Sequence, residues 1–342
     1  MRRTPLAIVA LLPLALTDDT PRLSYEEGAE VTRTWTLRST RDVDSASLTM
    51  NENPQDIGSG SSSSTTVSIE IRDALQAVAD GAPRRFTRTF EAIGTEQAIS
   101  GFEDSDEVQM RDSSGTSELV GAEVLFAYDP DAEEWSLEYG EDSAGEEAWL
   151  EDLEPDMDLS EALPDGDVAV GETWEVPLSI LDHLLTPGGD VDVRPDEEVG
   201  GGEGGIAISI PSVGDIGRWD ELEGTVQARY LEVVEEDGPR VARIQLTIDV
   251  EGDLDIADML EDEAAERGAE ETYAEATVTR TLEGKVTIDW DLAAGRFAEV
   301  EGTLSGTGEF YAEWTLAVQG FELELGVERS DSVEYEIEAS IQ

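Results

Sequence analysis

The sequence predicts a mainly β protein, all-β to α+β, made of two antiparallel meander sheet units with a few short helices, a sheet type that can curl into a partly closed barrel. Three observations predict it. Apolar and polar residues alternate with period two over long stretches, helical periodicity is confined to two short segments, and turn residues punctuate the alternation.

Taken in order, the chain opens with MRRTPLAIVALLPLALT (1–17), a basic start followed by a short apolar run and an acidic switch at Asp18 and Asp19. This is signal-peptide anatomy, and the run is about half of the roughly 20 residues needed to span a bilayer, so export without a lasting membrane anchor is expected. The predicted organisation is therefore a signal peptide at 1–17, an N-terminal β-rich unit at 18–185, an acidic glycine-rich linker at 186–217, and a C-terminal β-rich unit at 218–342.

VTRTWTLRS (31–39), TVSIEI (66–71), EVLFAY (123–128), RIQLTIDVEG (243–252), KVTIDWD (285–291) and EFYAEWTLAV (309–318) read as half-buried antiparallel strands. GSGSSSS (58–64) reads as a flexible loop. The stretch 141–167 is polar with isolated anchors such as Trp149, Leu153 and Met157, and reads as short helical turns lying against a sheet. Gly171 and Glu172 then form a turn before a strand carrying Trp174. Helices are expected in PLSILDHLL (177–185), opened by Pro177, and in DLDIADMLEDEAAERG (253–268), where Ile256, Met259, Leu260 and Ala264 share a face. TPGGDVDVRPDEEVGGGEGG (186–205) has linker composition.

A weak internal repeat relates the two sides of that linker. Strand, Asp-Gly turn and second strand recur around Asp80–Gly81 and Asp237–Gly238, and Asp-Gly is a strong hairpin signal. FAYDPDAEEWSLE (126–138) matches TIDWDLAAGRFAEVE (287–301), placing Asp129 opposite Asp291 and Trp135 opposite Phe297.

Composition narrows the function classes. Eighty-one Asp and Glu face twenty-one Lys and Arg, a formal charge of −60 with Lys285 the single lysine. Nucleic acid and anionic lipid surfaces, which are bound through basic patches, are not expected partners; a small apolar molecule or a protein is. So acidic a surface is least costly when salt screens its self-repulsion. No cysteine occurs, which excludes a lipoprotein anchor, a disulfide framework, a thiolate metal site and a cysteine nucleophile.

The chemistry-bearing patterns are weak. Asp129, Asp131 and Glu133 offer oxygen ligands for a hard cation, and calcium is the ion such a loop would take, but Glu134 stands where an EF-hand needs glycine and Gly140 where it needs glutamate. A hairpin tip is the simpler reading. His183, the only histidine, sits on a short helix as a boundary residue, and no G-x-S-x-G elbow accompanies it. EVGGGEGG (198–205) lacks the lysine and the strand-to-helix setting of a phosphate loop. In PRRFTR (83–88), Arg84 and Arg88 share one strand face and Arg85 the other, a pattern for cross-strand pairing with carboxylates. No catalytic or cofactor-binding residue is assigned. The expected function is that of an exported, non-enzymatic binding or carrier module with an apolar cavity between sheet and helix. The alternatives are an envelope-associated structural protein and a hydrolase using two carboxylates.

Overall fold

A computed structural model describes residues 19–51, 53–56, 61–100, 111–191, 193–195, 219–235, 239–266, 271–318 and 321–341. The 1–17 segment, most of the 186–217 stretch and the Asp237–Gly238 turn lie outside the described residues.

The alternating stretches form strands, several of them longer than the pattern alone marks. In chain order these are β1 (Glu30–Met50), β2 (Asn53–Asp56), β3 (Ser62–Ala79), β4 (Ala82–Ser100), β5 (Arg111–Ser117), β6 (Glu123–Asp129), β7 (Glu134–Tyr139), β8 (Thr173–Val176) and β9 (Val193–Pro195). They continue with β10 (Glu223–Val234), β11 (Val241–Asp255), β12 (Glu271–Asp291), β13 (Arg296–Val318) and β14 (Phe321–Ile341). All belong to one antiparallel sheet ordered β7-β6-β4-β3-β1-β14-β13-β12-β11-β10-β8, with β2 beside β1, β5 beside β4, and β9 beside β5. The sheet does not close: β7 and β8 are its ends, at six and four residues too short to zip to each other over a barrel's height.

Strands from both sides of the 186–217 stretch share this sheet. β1 pairs with β14, bringing the first and last strands of the chain side by side, and β8 crosses to the far edge to pair with β10. Along each strand, buried apolar residues alternate with polar ones, as in Val226, Ala228 and Tyr230 of β10 or Ala242, Ile244 and Leu246 of β11. One face is therefore apolar and needs a cover.

Short elements supply it. Helix α1 (Ile180–Leu185) buries Ile180, Leu181, Leu184 and Leu185, and 3₁₀ turns at Glu147–Leu150 and Ser160–Ala162 flank the buried anchors Leu153, Met157 and Leu159. Over the C-terminal strands lie α2 (Ala257–Glu266) and the turn Trp219–Glu221. Helix α2 begins later than its periodicity suggests, because Asp253, Leu254 and Asp255 continue the alternation of β11 with only Leu254 buried. Ser62–Ser64, expected in a loop, form the start of β3, because β1 and β4 flank them and supply their backbone hydrogen bonds.

Asp80 and Gly81 both adopt positive φ in the two-residue turn between β3 and β4, as Asp-Gly predicts. The turns after Asp129 and Asp291 are built alike. In each, the aspartate Oδ1 accepts N–H groups two and three residues on, and its carbonyl accepts the N–H four residues on, from Glu133 or Gly295. Those closing residues have φ of 60° and 62°. Glycine is required at 295, where a Cβ would run into Ser24, whereas Glu133 is exposed and meets no such neighbour.

Candidate functional site

Three adjacent strands, β1, β3 and β4, place charges on their apolar face that meet one another and hold the cover. Arg33 lies between Val31 and Trp35 on β1, Asp73 between Ile71 and Leu75 on β3, and Arg88 between Phe86 and Phe90 on β4; all are buried. Asp73 and Arg88 are register partners, and the Arg88 Nε and one terminal nitrogen donate to the two Asp73 oxygens at 2.9 and 3.1 Å. Arg33 donates to Asp73 at 2.8 Å and to both oxygens of Asp158 at 3.0 and 2.7 Å, with a further bond of 2.6 Å to the Tyr25 hydroxyl. The remaining donors of Arg88 reach the Glu154 carbonyl at 2.7 Å and the Pro155 carbonyl at 3.0 Å, while its guanidinium stands 4.9 Å from the Phe126 ring centre.

Two arginines and two aspartates thus balance in charge, and the network clamps segment 154–158 onto the sheet. Burial opposes the Arg33 charge, yet the neighbouring Asp158, Tyr25 and Asp73 outweigh it and hold the guanidinium well above its ordinary range. Burial first, then Asp158, pushes the Tyr25 phenol up. The expectation of cross-strand pairing for the basic stretch is met by Arg88; Arg85 instead bonds Gln76, and Arg84 stacks 4.5 Å from the ring centre of Tyr128.

Beside this clamp the cover and the sheet part to leave a cleft of about 840 Å³. Its floor is two cross-strand pairs of β1 and β3, Trp35 with Ile69 and Leu37 with Val67. One wall is Glu151–Glu154, held by the clamp; the other runs from the end of α1 to Val193. The walls are joined where Leu153 bridges Gly189, the Glu154 N–H donates to the Gly188 carbonyl at 2.9 Å, and the Asp190 N–H donates to the Asp152 carbonyl at 3.0 Å. Gly189, at φ 87°, is needed because a Cβ would strike the Asp152 carbonyl. Leu153, Leu185, Val191 and Val193 add apolar surface, and Glu151, Asp152, Glu154, Asp182 and Asp190 line it with carboxylates.

Trp35, at 1% exposure, packs edge-on against Phe297 at 5.8 Å, but its indole N–H has no acceptor among the described residues. That contrasts with Trp174, whose indole donates to the Ala162 carbonyl at 3.0 Å. A buried unpaired donor costs about 1–3 kcal/mol.

His183 of α1 is half-buried, as a boundary residue is, at 13% side-chain exposure, with Nδ1 2.8 Å from a Glu154 oxygen and Nε2 3.9 Å from Glu161. Burial alone would lower its pKa; contact with Glu154 and the charges of Asp156, Glu154 and Glu161 outweigh it and raise the group to about 9. It is an ionic tie between α1 and the clamped segment.

Asp129, Asp131 and Glu133 sit exposed at the β6–β7 tip, where Asp129 Oδ1 is engaged by backbone N–H groups. The structure does not gather them: among the described residues no group of three or more His, Cys, Asp or Glu is placed to hold a metal ion.

The clamp is the feature that reading the strands one by one misses, and a signal for it exists. Arg33, Arg88 and Arg280 are the buried arginines among the described residues, and they occupy the centres of VTRTW (31–35), FTRTF (86–90) and VTRTL (278–282). An arginine between threonines, on the parity of flanking apolar residues, marks each one. Arg280 stacks on Trp219, 3.9 Å from the ring centre, so the same pentapeptide anchors cover on the C-terminal strands.

No family model and no curated protein matches this sequence. Among solved structures, the outer membrane protein OprG from Pseudomonas aeruginosa is similar at 7% identity and a TM-score of 0.22, over 92% of this chain and 97% of that one. An outer membrane channel from Pseudomonas putida is similar at 9% identity and a TM-score of 0.23, over 95% and 99%. Scores this low carry no argument about function. No helix among the described residues is long and apolar enough to cross a membrane, which says nothing of strands.

Proposed function

We propose that the protein is an exported, non-enzymatic binding module that holds the apolar part of a small molecule in the cleft between β1, β3 and the clamped cover. The observation that carries this reading is the cleft itself, whose apolar floor is built from residues of two central strands while a buried ion network fixes one wall. Its volume lies within the roughly 300–1,000 Å³ of small-molecule sites, and its apolar floor gives the apolar part of a ligand a place to pack. Export rests on the leader-like 1–17 segment.

The test is a titration with a neutral naphthylamine dye that brightens in apolar surroundings. Saturable one-to-one binding is expected, and Val67→Trp, which fills the floor, should abolish it while leaving the far-ultraviolet circular dichroism unchanged. Binding that survives the filled floor, or no saturable binding at all, contradicts the cleft reading.

A further inference from the structure

Resting on the cleft reading, we propose that residues 19–25 are a strap that latches the cover, so that the cleft wall opens when the strap lifts off its seat. The segment has no helix or strand of its own; Thr20 and Tyr25 are buried, Leu23 packs half-buried against the core, and Arg22 and Ser24 stay exposed. It runs along one end of the sheet, from β10 to the turn between β3 and β4. The Tyr230 hydroxyl donates to the Asp19 carbonyl at 2.6 Å, Arg240 donates to the Asp19 carboxylate at 2.6 Å, and the Trp290 indole donates to the Arg22 carbonyl at 3.3 Å. The Ser24 N–H then donates to the Gly295 carbonyl at 3.0 Å and the Tyr25 N–H to the Gly81 carbonyl at 2.9 Å. Both turns are shaped to receive it: a Cβ at Gly295 would strike Ser24, and one at Gly81 the Leu23 carbonyl.

The same strap holds the cover at two places. Near its start, the Val168 N–H donates to Thr20 Oγ1 at 3.4 Å and Arg22 pairs with Asp167. At its end, one terminal nitrogen of Arg33 donates both to the Tyr25 hydroxyl at 2.6 Å and to Asp158 at 2.7 Å. The strap therefore joins the clamp that fixes segment 154–158 and, with it, the Glu151–Glu154 wall of the cleft. Lifting segment 154–168 from the sheet breaks strap bonds as well as the clamp. Beyond Tyr25 the chain has a hinge: Glu26, Glu27 and Gly28 are exposed, and at Gly28, with φ 83°, a Cβ would meet no described residue within 4 Å. A short irregular segment held by few hydrogen bonds belongs to the low-stability end of a fold, so strap and cover are expected to open together and ahead of the sheet.

Hydrogen exchange on the full chain, read by mass spectrometry, tests the latch. Gly295→Asn sets a Cβ against Ser24 while keeping a residue type that tolerates positive φ, and Glu133→Asn makes the matching change in the sister turn between β6 and β7. In Gly295→Asn, peptides from 19–25 and from 154–168 should both exchange at least about tenfold faster than in the parent, with β11 to β13 unchanged, and the bound naphthylamine dye should dissociate faster by a similar factor. Glu133→Asn should leave these rates alone. A strap that exchanges faster over an unchanged cover overturns the latch, and a cover that loosens without hastening dye release overturns its control of the cleft. Where Gly295→Asn also loosens β11 to β13, Tyr25→Phe takes its place, because it removes only the hydroxyl shared with Arg33. That variant is expected to loosen segment 154–168 as well, and an unchanged cover there overturns the proposal. Absence of saturable dye binding to the parent removes the cleft reading alone, since the exchange of strap and cover is measured without ligand and still decides the latch.

Discussion

Arg33 bonds Asp73, Asp158 and Tyr25 at once, so its removal leaves Asp158 buried without its cation while Asp73 keeps Arg88. An isolated buried charge is far costlier than a missing pair, and Arg33→Met should destabilise the fold by about 3–5 kcal/mol in urea denaturation. Arg33→Met combined with Asp158→Asn should recover part of that loss; a single variant as stable as the parent would show that the clamp carries no weight. At this scale the sequence is half legible. Arg88 stands out as part of a basic stretch expected to pair across strands, and it does pair with Asp73. The partners Asp158 and Tyr25 could not be foreseen, because Asp158 lies 125 residues further along the chain and Tyr25 sits in the irregular segment before β1, and the approach of both is set by tertiary packing rather than by any local pattern.

Among the elements, α1 depends on what it touches more than on itself. Six residues make fewer than two turns, too short to persist alone, so burial of Leu181 and Leu184 and the tie from His183 to Glu154 hold it in place. Because the folded-state pKa of His183 is raised from 6.5 to about 9, its contribution is fully present below pH 6.5 and is lost as pH rises through about 9. The melting temperature of the parent minus that of His183→Gln should therefore be largest in mild acid and vanish above pH 9. A difference that does not change with pH would remove the ionic tie. The two end strands of the main order offer little for further strand pairing: β7 is short and carries exposed Glu134 and Glu138, and β8 has four residues followed by Pro177. Strand existence is legible from period two, but strand length is not. β1 runs on through the polar 41–50 stretch because β14 pairs with it there, and pairing satisfies the backbone whatever the side chains are.

For the molecule as a whole, the decisive fact is that one continuous sheet has a single apolar face, which the described residues cover with short, scattered elements. Exposed acids such as Glu283, Glu301, Glu334 and Glu338 occupy the opposite face and keep it in water. The mainly β class follows from the sequence because alternation is local, while the join of β1 to β14 that makes one sheet links residues at opposite ends of the chain and leaves no local mark. The cleft is likewise a product of assembly: Leu37 and Val67 look like ordinary strand residues until segments 151–154 and 185–191 are brought over the sheet beside them. Native mass spectrometry of the full chain, expressed with export in a bacterial host and purified gently, tests the central claim most directly. The account predicts one retained small molecule per chain, absent from Val67→Trp; a bare chain, still without adduct after incubation with the neutral naphthylamine dye, would contradict it.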